Sequence, residues 1–395
     1  MDTRKLMSDV TRRSLAAAVE DYVSKDVDEY AFIAQLRREH NLERVYRFDI
    51  GKHTDGYSDL ILGVMQQADL AELCRQNLVE YPDNHYRLLR KRLSERYGLD
   101  PSWFVLSAGL ESMIDHISRV FLQAGDKYLL PIPNFAVFEG FSSRVGGEPV
   151  YVPLEPGDQF QWTPRTVARI KELMTAQRPR LLWISNPANP TGQDLPLEWI
   201  EKLVVAGAAG GVAVVVDEAY GEYTDTDQGV VSACRLVERF PNLMVLRTFS
   251  KIYALPSLRV GYLMCSDRDI LKAINLYRPM FPFSWFSLFV AQIAFVDEEH
   301  PQQARANTIK RRERLYGQLA ELGSFIFIPS RTNTIMLRHR RLKASDLWQR
   351  LAQKGILAAN LAGINGLQGQ EFLRMTIRSE EDNDFFIAAC REVAK

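Results

Sequence analysis

Apolar positions between residues 11 and 38 recur at helical spacing (Leu15, Val19, Val23, then Tyr30, Ile33 and Leu36), with a break near 24–27. This pattern predicts one or two amphipathic helices in an N-terminal arm. The stretch 48–57, FDIGKHTDGY, has two glycines and little periodicity and predicts a loop, whereas 86–97 predicts a basic amphipathic helix behind the Tyr81-Pro82-Asp83 turn. From Trp103 the pattern changes. Short apolar runs (WFVLSA, KYLLPIP, EPVYVPL, RLLWIS, VAVVVDE, LMVLRTF, VGYLMC) alternate with helical patterns such as 111–122. Continuous runs suit strands covered on both faces, and strands alternating with helices predict a mostly parallel sheet with right-handed crossovers. Beyond Pro282 the signal turns helical over 287–295 and around 307–322, after which SFIFIPS and TNTIMLRH predict an antiparallel pair. We therefore expect an α/β protein with an arm over 1–59, a large domain over 60–285 and a small α+β domain over 286–395.

With 395 residues, 46% of them hydrophobic and 25% charged, the chain is too apolar for disorder and long enough for two or three domains with a sizeable core. Lys+Arg and Asp+Glu both number 49, so the formal net charge is +0 and no net field collects nucleic acid or an anionic membrane. Cys74, Cys234, Cys265 and Cys390 show no C-x-x-C spacing and no accompanying histidine cluster, which predicts reduced thiols, no metal site and a cytoplasmic location. The charged start lacks the apolar core of a signal peptide, and no apolar run reaches the roughly 18 residues of a membrane span. These features together predict a neutral cytosolic enzyme.

In an open parallel sheet, ligands bind beyond the carboxyl ends of the strands, and three predicted strand ends carry polar residues. RLLWIS runs into Asn186-Pro187-Ala188-Asn189-Pro190-Thr191-Gly192, where Asn-Pro pairs hold the backbone out of helix and present amides. A rigid turn alone would use the same residues. VAVVVDEAYGEY ends an apolar strand on Asp217 and Glu218. A carboxylate buried there needs a cation or strong donors, unless it caps the next helix. LMVLRTF leads through Ser250 into Lys251, a candidate amine nucleophile, and on to Arg259, whose planar fork suits phosphate. A lysine and an arginine on an ordinary surface loop are the plainer reading of this segment taken alone. Taken together with Tyr220, Thr248 and Ser250, the set matches pyridoxal 5′-phosphate. Its aldehyde needs an amine, its phosphate needs Arg and hydroxyls, its ring nitrogen needs an anion and its phenolic oxygen needs donors.

SNPANPTG, VVVDEAY and RTFSKIYALPSLRVGY resemble the signature segments of class I/II aminotransferases, in the superfamily of the aspartate aminotransferase fold. YPDNHYRLLRKRLSERYGLDPSWFVLSAG and FLRMTIRSEEDN resemble its histidinol-phosphate aminotransferase branch, which also contains threonine-phosphate decarboxylase. The likeness runs from about Tyr81 to the C-terminus. It implies the type I fold of pyridoxal-phosphate-dependent transferases, with a mostly parallel seven-stranded sheet in the large domain, and a homodimer with shared active sites. It further implies that Lys251 forms the internal aldimine and shuttles the proton, that Asp217 pairs with the pyridinium, and that Asn189 and Tyr220 contact the phenolic oxygen. Thr248, Ser250, Arg259 and the backbone amides of Leu110 and Glu111, where Gly109 opens a helix, would hold the phosphate. Phe138 matches the aromatic that stacks on the ring, Tyr81 the tyrosine that reaches the neighbouring subunit's phosphate, and Arg374 the arginine that grips the substrate carboxylate. The implied reaction is ping-pong transfer of an amino group between a small amino acid or amine, phosphorylated and phosphonate-bearing ones included, and a 2-oxo acid or aldehyde.

The chain departs from that pattern where substrate would lie. Gly51-Lys52-His53-Thr54-Asp55-Gly56 replaces the family's Asn-x-Asn-Pro segment. Its glycines permit close backbone approach, and Lys52 and His53 are candidates to meet an anionic or polar substrate, a solvated loop being the plainer reading. Ser112 replaces the usual Glu. Ala358 and Ala359 stand where relatives that bind a phosphorylated substrate carry an arginine. Arg378 stands where many aminotransferases have Gly and the decarboxylase branch has Arg; with Lys52 it is the candidate for a distal phosphate. A decarboxylase acting on a phosphorylated amino acid is therefore the alternative. The sensor half of a transcription regulator would need a helix-turn-helix domain of roughly 60 residues and a basic face, which the arm does not supply.

Overall fold

The computed structural model describes Met7, Thr11, residues 28–226 and residues 229–393. Most of the first predicted helix, 12–27, lies outside the described residues. The second spans Glu29–Glu39, with the Asp28 carboxylate capping it by accepting from Ala31 N at 3.0 Å and Arg37 and Arg38 at its negative end. Strand β1 (Tyr46–Arg47) follows.

The seven apolar runs all form strands: β2 (Phe104–Ala108), β3 (Lys127–Ile132), β4 (Glu148–Pro153), β5 (Leu181–Ser185), β6 (Ala213–Asp217), β7 (Leu243–Thr248) and β8 (Val260–Met264). They make one sheet in the order β2-β8-β7-β6-β5-β3-β4, parallel except for β8, which runs against both of its neighbours. Every residue of β5, β6 and β7 is buried. The period-two side chains divide between two cores. Leu182, Ile184, Val214, Val216 and Val245 enter one, and Leu181, Trp183, Ala213, Val215 and Met244 enter the other. Each fully buried Val, Leu or Ile contributes about 1.5–3 kcal/mol, so the central strands are pinned from both faces.

Strands β9 (Phe325–Ile328), β10 (Thr334–His339), β12 (Ala359–Asn360) and β13 (Leu373–Thr376) form a smaller antiparallel sheet, ordered β12-β13-β10-β9. Strand β11 (Ile356–Leu357) instead pairs in parallel with β1, and Phe48 is buried in the core of this second lobe. The end of the arm is thus built into the C-terminal lobe. Between the sheets, the helix Trp285–Val296 packs Leu288, Ala291 and Phe295 into the core of the large sheet, so that core continues past residue 286. The helix predicted around 307–322 begins earlier, at Glu299, where the Asp297 carboxylate accepts from His300 N at 3.0 Å; Pro301 is tolerated because the first turn has no partner for its missing N–H. The two lobes interlock where Arg331 N donates to Gly192 O at 2.8 Å and Gln193 Nε2 to Pro329 O at 2.7 Å.

Candidate active site

The carboxyl ends of β5, β6 and β7 meet the small sheet at one cleft. Asp217 is the last residue of β6, in register with Ser185 of β5 and Leu246 of β7, and is 3% exposed. Its Oδ1 accepts from Ala219 N at 2.9 Å. Burial pushes its carboxyl up to about 7, against the opposing pull of the Ala219 amide and the Lys251 charge. Such a carboxyl is poised to ionise when a cation is brought to it. Three residues on, Tyr220 lies buried with its ring 5.1 Å from Lys251 Nζ.

Lys251 follows β7 and donates from Nζ to the Gly51 carbonyl at 3.3 Å. Opposite, Arg374 of β13 donates from Nη1 to Asn189 Oδ1 at 2.7 Å and from Nη2 to the Asp49 carbonyl at 2.8 Å. The structure therefore gathers Lys251, Tyr220, Asp217, Asn189 and Arg374 around one cleft. Beside it, Ser250 N donates to Thr248 Oγ1 at 3.1 Å, and the two hydroxyl oxygens are 3.0 Å apart.

Gly109 precedes the helix Leu110–Phe121 at φ +79° and provides no side-chain cap. A Cβ there would collide with the Arg259 guanidinium, 2.9 Å from its Cζ. Arg259 itself bends back in the left-handed region at φ 53°, with Nη1 donating to Pro256 O at 3.1 Å. The uncapped helix N-terminus thus lies against Arg259 and against Gly261, the sheet partner of Thr248, and backbone amides, a guanidinium and two hydroxyls are the chemistry of a phosphate cradle.

The sequence model described as aminotransferase class I and II matches residues 45–389. The chain belongs to the class I and II aminotransferases. It is 31% identical to the histidinol-phosphate aminotransferase of Ruminiclostridium cellulolyticum over 307 residues, which is 78% of this chain and 82% of that one. The histidinol-phosphate aminotransferase of Sinorhizobium meliloti, solved with pyridoxal 5′-phosphate, superposes with a TM-score of 0.77 at 21% identity, covering 94% of this chain and 98% of that one. A decarboxylase from Sulfurospirillum multivorans superposes with 0.76 at 22% identity, covering 92% and 100%. This aminotransferase uses pyridoxal 5′-phosphate, and its cleft fits the group. The cradle would take the phosphate, the raised Asp217 the ring nitrogen and the Lys251 amine the aldehyde.

Several residues lie elsewhere than the sequence suggested. Phe138 is fully buried and stacked on Trp183, with centroids 4.8 Å apart, so it offers no face to a cofactor. The partly buried Phe135, just beyond β3, meets Phe138 edge-on with centroids 5.7 Å apart. His53 is buried against Tyr223 and Asp55, out of a substrate's reach. Arg378 is buried as well. Its Nε donates to Asp382 at 2.8 Å, its Nη1 to the Arg47 carbonyl at 3.1 Å, and its guanidinium covers the Phe48 ring, which leaves it a brace of the second lobe. Lys52 is exposed at the cleft's edge, its carbonyl accepting from Asn333 Nδ2 at 3.2 Å. Tyr81 is 80% exposed and stacked on Phe281, centroids 4.5 Å apart, outside the cleft.

Sequence reasoning also missed a buried brace beneath the site. Arg247, fully buried, donates to Glu218 at 2.9 Å and lies 3.3 Å from Glu222, tying the end of β6 to the end of β7. Burial pushes the Glu222 carboxyl up to about 7 even beside that cation. The available signal was an arginine inside an otherwise apolar strand, LMVLRTF.

Proposed function

We propose that Lys251 is the catalytic residue of a transamination that takes the amino group from a small amino acid and gives it to a 2-oxo acid or aldehyde. The observation that carries this reading is the meeting of Lys251, Tyr220 and the Asn189–Arg374 pair at the carboxyl ends of the strands. When bound, pyridoxal 5′-phosphate supplies an aldehyde for amine exchange and a ring that draws electrons. Lys251 would hold that aldehyde through its amine, and the same amine, once free, would be the base that takes and returns the proton at the substrate Cα. Asp217 would meet the ring nitrogen, and Asn189 and Tyr220 the phenolic oxygen. Thr248, Ser250, Arg259 and the amides of Leu110 and Glu111 would hold the phosphate. Arg374 takes the substrate carboxylate in its fork, and Lys52 faces the substrate's distal end.

In this reading the chain divides into an arm (1–59) whose end joins the second lobe, a cofactor domain that begins near residue 60 and takes in the helix Trp285–Val296, and a small domain after it, and works in the cytoplasm as a homodimer. Among the described residues, no helix is long and apolar enough to cross a membrane. Leu78, Val79, Tyr81, Leu276 and Met280 are all more than 60% exposed, an apolar surface that a second copy would cover while Tyr81 reaches the partner's phosphate site. The test is to titrate the yellow holoenzyme with amino acids and amines, phosphorylated ones included, while following the absorption of the lysine-bound cofactor. A keto product formed in step with aminated cofactor is expected; release of CO₂ would establish the decarboxylase instead. That alternative leaned on Arg378, which is bonded to Asp382 and the Arg47 carbonyl rather than presented to a substrate.

A further inference from the structure

The loop 51–58 belongs to neither sheet, yet it is tied down along its length. Thr376 Oγ1 donates to the Ile50 carbonyl at 2.8 Å just before it, and Ser58 Oγ bonds the Asp297 carboxylate at its far end. In between, Asp55 accepts from Asn307 Nδ2 at 3.0 Å and pairs with Arg311, both on the helix Glu299–Leu322. Burial alone would raise the Asp55 carboxyl, but the nearby His53 ring and the bonds from Arg311 and Asn307 hold it well below the usual carboxylate range. It is an anion anchored from that helix. His53 is 6% exposed inside the turn. Its Nδ1 lies 3.1 Å from the Tyr223 hydroxyl, its Nε2 3.6 Å from Asp55, and its ring is edge-on to His300 at 6.4 Å. A buried imidazole met on one side by a phenol and on the other by an anchored carboxylate has one orientation open to it.

Two residues before His53 stands Gly51, whose carbonyl accepts from Lys251 Nζ. The approach is close enough that a Cβ on Gly51 would lie 2.8 Å from the Tyr220 hydroxyl and 3.7 Å from Lys251 Nζ. A peptide in a loop can rotate its carbonyl away from such a partner unless the residues beside it are held.

We propose that His53 and Asp55 are positioning residues, a buried strut that fixes the Gly51 carbonyl as the acceptor for the Lys251 amine and so sets where that amine rests. The proposal rests on Lys251 being the reactive lysine, and it gives the Gly-Lys-His-Thr-Asp-Gly departure from the family pattern a task other than touching substrate.

The test uses the cofactor-free full chain. Acylation of Lys251 by acetic anhydride is followed by peptide mass spectrometry against Lys272, an exposed lysine on the helix Arg268–Tyr277. Without the strut the amine loses its hydrogen bond, so in His53→Phe the labelling of Lys251 relative to Lys272 should rise about fivefold. His53→Gln, whose amide still has a group for the Tyr223 hydroxyl, should stay within about twofold of the parent. An unchanged or lower ratio in folded His53→Phe overturns the proposal. Where that variant does not fold, Asp55→Asn, which removes the anion at constant size, is read by the same criterion. Failure of the proposed function looks different: Lys251→Ala would keep cofactor absorption and turnover, while the labelling contrast in the cofactor-free chain would be untouched.

Discussion

At one end of the cleft, Asp217 closes β6 with Tyr220 just beyond it, and Thr248 closes β7 with Ser250, Lys251 and Arg259 beyond it, so adjacent strands of one buried sheet hold the groups proposed for the cofactor. At the other end, Gly51, Asn189 and Arg374 come from three remote segments, and the bond from Arg374 to the Asp49 carbonyl joins residues 325 positions apart. The first end is held by a continuous ladder with apolar cores on both faces. The second is held by single side-chain bonds, two to loop carbonyls and one to the Asn189 amide. The carboxyl ends of interior strands keep their groups in fixed places, whereas loops bonded one by one can be exchanged without disturbing them.

Substitutions can break or sharpen this contrast. The largest effect is expected of Lys251→Ala, which should remove the absorption of lysine-bound cofactor and lower kcat by at least about 10⁴-fold, measured in single-turnover assays. Arg374→Ala should leave that absorption intact while lowering kcat/KM for carboxylate-bearing substrates by about 10²–10³-fold, because a buried charge-assisted fork is lost. If it also abolished cofactor binding, the two ends would not be separable.

Arg378→Gln should cost about 3 kcal/mol in denaturant unfolding by stranding Asp382, with little change in KM for any substrate. A large rise in KM for phosphorylated substrates alone would restore Arg378 as a substrate contact. Asp217 gives a pH signature. Its carboxyl is raised from an ordinary 3.8 to about 7, so between those values the folded cofactor-free protein keeps a proton that the unfolded chain has released. Its contribution is most favourable at low pH and falls as pH rises through that window. Asp217→Asn should therefore raise stability at pH 8 by on the order of 2–4 kcal/mol and not at pH 4, while weakening cofactor binding. Smallest, Gly109→Ala should weaken cofactor binding about tenfold, since the new methyl displaces Arg259 and sits at positive φ.

Much of the large sheet was legible in the sequence because continuous apolar runs are what strands buried on both faces require, and all seven runs became strands. The groups proposed for the cofactor stood out in the sequence for a related reason: polar residues that end an apolar strand contrast with it. Phe138 misled because an aromatic near a strand end reads alike whether it faces a cofactor or a core; only the Trp183 stack distinguishes them. His53 and Arg378 misled because a charged or titratable residue in a linear pattern looks available to ligand, and neither Tyr223 nor Asp382 marks it as taken until the chain is folded.

Periodicity and the residues closing each apolar run thus determined the sheet, the class of chemistry and the cofactor, because these depend on short-range pattern and on groups a few positions apart. Tertiary structure decided which candidates face the cleft. It turned His53 and Arg378 inward, set Arg374 against Asn189 and brought the Gly51 carbonyl to Lys251. Contacts between segments hundreds of residues apart depend on how the two lobes pack, and that packing is absent from any local stretch of sequence.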